Sequence, residues 1–222
     1  MIALLVITDG RRDCITQTLA SASEMLSGPI TRRVMYDDSG DEIHRGWLRA
    51  TFPEFEVIHH PLGRQGFGGA IRTAWRHLAT TPEPYIFHLE DDFTFNHPVP
   101  LIEMGRVLDS NPHLVQLALR RQPWNDIERR AGGIVESHPD AYDDCHDMAG
   151  HHWLEQRLFF TTNPSLYRSE LCQNSWPDCD HSEGVFSHQL MQDAEVRFGY
   201  WGSRDSGEWV THIGHERVGT GY

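Results

Sequence analysis

The stretch Tyr85-Ile86-Phe87-His88-Leu89-Glu90-Asp91-Asp92-Phe93-Thr94-Phe95 decides how the chain is read. It opens as a buried β-strand should, with Tyr85, Ile86, Phe87 and Leu89 apolar or aromatic and Pro82 and Pro84 just before them. Glu90, Asp91 and Asp92 then stand side by side, followed at once by Phe93 and Phe95. Adjacent carboxylates repel one another, and a strand end beside a core raises the cost by withholding water. The sequence therefore demands a compensating charge at this point.

Outward from that strand the chain alternates. Ile2–Thr8 is a continuous apolar run, and Ile15, Leu19, Ala22 and Leu26 follow at helical spacing. Ile30–Tyr36 is a second strand, closed by the acidic turn Asp37-Asp38-Ser39-Gly40-Asp41-Glu42. A short helix over 44–50 and a strand over 55–59 lead to the glycine-rich Gly63-Arg64-Gln65-Gly66-Phe67-Gly68-Gly69 and a helix over 70–79. A helix over 99–108 and a strand over 114–119 come after the acidic triplet. Such alternation predicts an α/β domain with a mostly parallel central sheet flanked by helices. Ligands of these sheets lie beyond the carboxyl ends of the strands, where the polar clusters of this sequence fall.

The second half alternates less cleanly. Residues 122–153 are polar and acidic and read as a long excursion or lid. Residues 157–171 return to strand character, 182–194 to helix, and 196–201 and 209–213 to short strands. No tract divides the chain, which reads as one domain over 1–222, with a regularly alternating half (1–95) and a less regular half (96–222).

The chain has 222 residues, 39% hydrophobic, and a formal charge of −13, which argues against non-specific nucleic-acid binding. No apolar run reaches membrane-span length and no basic leader precedes the first strand, so a soluble cytoplasmic protein with reduced thiols is expected. Cys172, Cys179 and His181 form a loose zinc-like spacing.

The order strand-Thr8-Asp9-Gly10-Arg11, strand-Asp37-Asp38-Ser39-Gly40, Gly66-Phe67-Gly68-Gly69 at a helix start, and Glu90-Asp91-Asp92 resembles the GT-A glycosyltransferases, especially family-two-like inverting enzymes. The resemblance implies a GT-A fold and transfer of a sugar from a nucleotide-diphosphate donor, UDP-sugar favoured, to an acceptor hydroxyl with inversion. It covers residues 1–95 well and the remainder thinly, and it implies a nucleotide-sugar-binding half (1–95) and an acceptor-binding half (96–222). It further implies Mn²⁺ or Mg²⁺ at a DxD-type site formed by Glu90-Asp91-Asp92. Asp92 would be the direct ligand, and Glu90 and Asp91 would contact sugar, ribose or metal-bound water. A histidine near the C-terminus would complete the coordination, His212 first and His215 in reserve. Thr8, Asp9, Gly10, Arg11 and Asp38 would line the base and ribose pocket, with Gly69 and Arg72 at the glycine-led helix. A solvated acidic turn is the competing reading of the triplet.

The same resemblance implies a carboxylate base at a helix start roughly 90 residues after the metal motif. Glu183 is the first choice and Asp180 the second, with Asp178 behind them. Asp180-x-x-Glu183 also has the form of a capping box, and a capping glutamate is not free to act as a base. Trp124, Trp153, Trp176, Trp201 and Trp209 are mostly packing residues by type, and Trp176, just before the base helix, is the acceptor-binding candidate. Protein, glycan and hydroxymethylated DNA base are the acceptor classes, a virion protein or a hydroxymethylated base if the enzyme is phage-borne. A sugar-phosphate nucleotidyltransferase or a non-catalytic carbohydrate-binding module are the alternatives, although Thr8-Asp9-Gly10-Arg11-Arg12-Asp13-Cys14 is unlike the nucleotidyltransferase loop.

Overall fold

The computed structural model describes residues 1–214. His215, the reserve metal ligand, lies outside the described residues. The elements in chain order are β1 (Ile2–Thr8), α1 (Arg12–Met25), β2 (Leu26–Ser27), β3 (Ile30–Asp37), α2 (Glu42–Thr51), β4 (Glu56–Ile58), α3 (Gly66–Leu78) and β5 (Tyr85–Glu90). Then come β6 (Phe93–Phe95), β7 (Val99–Pro100), α4 (Leu101–Ser110), β8 (Leu114–Ala118), α5 (Asp126–Ala131), α6 (Ile134–Ser137), β9 (Tyr142–His146) and β10 (His152–Gln156). β11 (Ser165–Arg168), α7 (Ser182–Leu190), β12 (Arg197–Trp201) and β13 (Val210–His212) complete the chain.

Nine strands form the main sheet in the order β4-β3-β1-β5-β11-β8-β12-β10-β9. The four strands of the first half are mutually parallel. β1 is apolar throughout because both its faces are covered. Ile2, Leu4 and Val6 join the core that holds Ile15 and Leu19 of α1, while Ala3, Leu5 and Ile7 join the one that holds Ile71 and Trp75 of α3. Register sets the edge: Thr8 lies beside Asp37 and Ile7 beside Glu90. Three loops therefore leave the sheet at one level.

The second half is mixed rather than parallel. β11 is antiparallel to both β5 and β8, and β10 is antiparallel to β12 and β9. The segment 122–153 is not a simple lid, since β9 and β10 extend the sheet. Exposed Asp143 and Asp144 give the edge strand β9 charges that discourage further pairing. In 157–171 only four residues form a strand, because Pro164 lacks an N–H for the ladder. Its carbonyl instead accepts from Leu119 N at 2.8 Å. Helix α3 starts at Gly66, four residues before the apolar periodicity does.

Among the described residues no helix is long and apolar enough to cross a membrane. The four cysteines are unpaired. Cys172 is buried and Cys179 exposed, and among the described residues no three His, Cys, Asp or Glu side chains are grouped to hold a metal, so the zinc-like spacing brings no site together.

His88, at the centre of β5, is buried with its Nε2 unpartnered, and burial pushes its pKa down to about 4. An unfolded chain binds that proton near pH 6.5. Its contribution to stability is therefore complete above pH 6.5 and is lost as pH falls toward 4, by at most about 3 kcal/mol. Urea midpoints of His88→Leu should fall less steeply than those of the wild type between pH 6.5 and 4.

Candidate functional site

Thr8, Asp9, Arg11, Asp91 and Asp92 form one interlocked group at the carboxyl ends of β1 and β5. Arg11 stands just before α1, and its side chain does not cap that helix. Its guanidinium instead takes three carboxylates at once. Nε donates to Asp9 Oδ1 at 2.8 Å, one terminal nitrogen donates to Asp92 Oδ2 at 2.7 Å, and the other pairs with Asp91. Thr8 Oγ1 donates to Asp91 Oδ2 at 2.8 Å, and Thr18 Oγ1 to the Asp91 carbonyl at 2.8 Å. Thr8 and Asp91 thus spend their polar atoms within the protein.

Both aspartates are deeply buried, Asp91 1% and Asp92 0% exposed, yet they differ. Burial pushes Asp91 up to about 7 despite Arg11, and the negative charges of Asp9 and Asp92 add to that rise. Burial also disfavours the Asp92 carboxylate, but the hydrogen bond and charge of His212, with those of Arg11, outweigh it and hold Asp92 below the usual range.

His212 reaches this group from the far end of the chain. β13 pairs antiparallel with β6, opposing His212 to Phe93, and Ile213 N donates to the Asp92 carbonyl at 2.8 Å. His212 Nε2 then lies 3.1 Å from Asp92 Oδ2. Gln122 clamps the histidine backbone from both sides, donating to its carbonyl and accepting from its N–H, each at 2.8 Å. Phe93 and Trp124 pack edge-on against the imidazole. Gly214 passes so close that an added Cβ would lie 2.2 Å from Asp92 Oδ2 and 2.6 Å from Arg11.

Asp38, by contrast, holds the glycine loop. It accepts from Gln65 N and Gly66 N at 2.8 Å each, so both its oxygens are committed. Gly69 is required by packing, since a Cβ there would meet Gln65 Cβ at 2.5 Å. Gly10, at φ +107°, occupies backbone space that side-chain-bearing residues rarely adopt. Arg72 turns to the approach of α7, donating to the Pro177 carbonyl at 2.8 Å and pairing with Asp178 at 2.7 Å.

Two cavities meet at Glu183. The first, about 590 Å³, is lined by Glu90, His212, Gly214, Arg121, Trp124, Thr162 and Glu183 among others. The second, about 880 Å³, lies between the glycine loop, Arg72 and residues 178–184, and includes the exposed Asp180. The capping box does not form. His181, in a left-handed conformation, precedes α7, and no side chain caps it. The Glu183 carboxylate accepts instead from Thr162 N at 3.4 Å and Thr162 Oγ1 at 3.3 Å. Burial raises its proton affinity, opposed by these hydrogen bonds.

Trp176 lies outside the two cavities that meet at Glu183. It is 3% exposed and stacks on Phe186 beside Trp75 and Phe160, because that aromatic cluster fills the space under α3 and α7. Trp124, 48% exposed, lines the first cavity together with Phe93, Phe159 and Tyr200, and the Arg121 guanidinium lies 5.6 Å from its ring centre. Arg121 is in turn paired with the buried Glu128. Three further residues went unassigned in sequence: Gln122, Thr162 and Arg64, whose guanidinium lies 3.5 Å from Asp9 and 4.0 Å from Asp38. Only Arg64 carried a signal, its place in the glycine-rich loop.

The fold, a large central sheet flanked by helices, is similar to those of solved glycosyltransferases and of a synthetase. The mannosyltransferase PcManGT from Pyrobaculum calidifontis, in complex with GDP-Man and Mn²⁺, superposes with a TM-score of 0.63 at 13% identity over 98% of this chain and 58% of that one. S. aureus TarS 1–349 with UDP-GlcNAc gives 0.60 at 14% identity, over 98% and 61%. The chain thus spans about three fifths of the length of these proteins. CMP:2-keto-3-deoxy-manno-octonic acid synthetase complexed with CTP gives 0.53 at 11% identity, over 90% and 89%. No protein-family model and no curated protein matches the chain in sequence.

The sequence resemblance implies a divalent cation at the acidic strand end, and the side chains there suit one chemically. Asp92 Oδ1 is buried with no partner, and His212 Nε2 lies 3.1 Å from Asp92 Oδ2, so a carboxylate and an imidazole nitrogen that suit Mn²⁺ stand together. Among the described residues no three such side chains converge as a ligand set, and Arg11 occupies Asp92 Oδ2.

Asp38→Ala should cost about 1–3 kcal/mol, from two lost charge-assisted bonds to backbone N–H groups of the glycine loop. Chemical denaturation measures this, and a loss under about 0.5 kcal/mol would mean the loop does not depend on Asp38.

Proposed function

We propose that the protein is a glycosyltransferase that moves a sugar from a nucleoside-diphosphate donor, UDP-sugar favoured, to an acceptor hydroxyl with inversion. The observation that carries this reading is that Glu183 opens into the same 590 Å³ cavity as Glu90 and His212. A proton acceptor and the acidic donor-side edge thus face one space. Glu183 takes the acceptor proton as the acceptor oxygen bonds to the anomeric carbon and the bond to the nucleoside diphosphate breaks on the opposite face. Its raised proton affinity suits a general base near neutral pH. Trp124 offers an aromatic face for a sugar ring.

Asp92 and His212 would hold the divalent cation, which as a Lewis acid neutralises charge on the leaving diphosphate. Arg64 and Arg11 are the basic side chains at the nucleotide edge. Asp9, Gly10 and Glu90 stay in reach of a donor, whereas Thr8, Asp38 and Asp91 shape the site from behind. Asp180 and Arg72 belong to the second cavity, where they are placed for the acceptor. That acceptor is a protein, a glycan or a hydroxymethylated base, and the −13 charge favours the first two.

A cytidylyltransferase reading draws on the synthetase likeness, which covers nine tenths of both chains. Thermal shifts with UDP, GDP, CDP, ADP and dTDP, and with CTP, each with and without Mn²⁺, separate the two. The glycosyltransferase reading expects a Mn²⁺-dependent rise with one diphosphate that Asp92→Asn removes. It expects Glu183→Gln to keep that rise and to lose about 10²–10⁴-fold in transfer rate. A response to CTP alone supports the alternative, and no response to any nucleotide removes both.

A further inference from the structure

Asp91 and Asp92 are buried side by side, and Asp9 points at the same space. Two buried carboxylates that are to stay ionised together need a cation beside them. Arg11 meets that need with all three guanidinium nitrogens, Nε on Asp9 and the terminal pair on Asp92 and Asp91. It is the partner that can leave. Its side chain is 21% exposed, against 2% and 0% for the two aspartates. It caps no helix, and the start of α1 is held by the Arg11 carbonyl, which accepts from Ile15 N at 3.0 Å. The guanidinium can therefore swing away without unwinding α1.

A second observation points to a second cation. Asp92 Oδ1 is buried and has no partner, and His212 Nε2 lies 3.1 Å from Asp92 Oδ2. Arg11 satisfies Asp92 Oδ2 only, and a buried carboxylate oxygen without a donor is costly. Asp92 is thus half-satisfied by the guanidinium, with one open oxygen and the imidazole Nε2 of His212 beside it.

We propose that Arg11 is a displaceable internal counter-ion, holding the acidic cluster in the absence of a divalent cation and competing with that cation for Asp92. This rests on the proposal that the cation binds at Asp92, and it adds that the chain's own arginine sets how tightly it binds. Metal affinity is then weak by construction until Arg11 is drawn off Asp92. An anionic donor phosphate is the chemistry that would draw it off.

The test needs no nucleotide and no turnover. Mn²⁺ binding is titrated by the loss of the free-ion EPR signal, and by the melting-temperature rise per Mn²⁺ added. Arg11→Gln should bind Mn²⁺ at least tenfold more tightly than the wild type, with a larger melting-temperature rise. Arg11→Gln/Asp92→Asn should lose that gain, which places the ion at Asp92. Equal affinity in wild type and Arg11→Gln overturns the proposal, as does a gain that survives Asp92→Asn. If Arg11→Gln does not fold, Arg11→Lys is read in its place: a lysine keeps the charge but not the fork, so tighter Mn²⁺ binding supports the proposal and unchanged binding overturns it. A failed nucleotide panel with a positive Arg11 result would remove the glycosyltransferase reading and leave the counter-ion standing. The reverse pattern would do the opposite.

Discussion

Two adjacent aspartates end the central strand with almost no water around them, and the site is arranged around their compensation. Arg11 provides a forked cation, Thr8 a hydroxyl, and His212 an imidazole. Each comes from a different element: the loop after β1, the end of β1 itself, and the end of β13. Those elements are held at one level by the parallel register of β1, β3 and β5 and by the β6–β13 pairing. The neighbouring aspartates also settle into different protonation tendencies, because His212 and Arg11 both reach Asp92 while burial dominates at Asp91.

The second half of the chain supplies the wall opposite. Arg121, Trp124 and Glu128 form a compact group in which a buried ion pair and a ring contact orient the tryptophan toward the cavity. Gln122 in the same segment fixes the His212 backbone. A stretch that reads as a polar excursion is thus tied into the site by its first few residues and into the sheet by its last. Glu183 stands where the two cavities meet, held by Thr162 rather than by its own helix.

Legibility varied with the range of the interaction. The apolar runs of β1, β3 and β5 and the amphipathic spacing of α1 and α3 are local patterns, and they appear where the periodicity puts them. The turn residues Asp37-Asp38 and Glu90-Asp91-Asp92 at the strand ends were equally plain. Local pattern misled where it had two meanings. Asp180-x-x-Glu183 has the form of a capping box, but His181 in a left-handed conformation starts the helix and frees Glu183. Trp176 sits just before that helix, yet aromatic packing with Trp75 and Phe186 takes it out of reach.

By itself the sequence determined an α/β chain whose polar clusters gather at one edge of a sheet, since strand periodicity and the carboxyl-end rule need only neighbouring residues. It also posed the charge problem at 90–92 in full. The tertiary structure alone decided the solution. Arg11 is some 80 residues from its aspartates and His212 some 120, and no local spacing relates them. Strand order, antiparallel insertion of β11 and the clamp by Gln122 are long-range choices, made by which faces could be buried together. A buried carboxylate announces that it needs a partner, but only the packed chain determines which partner is within reach.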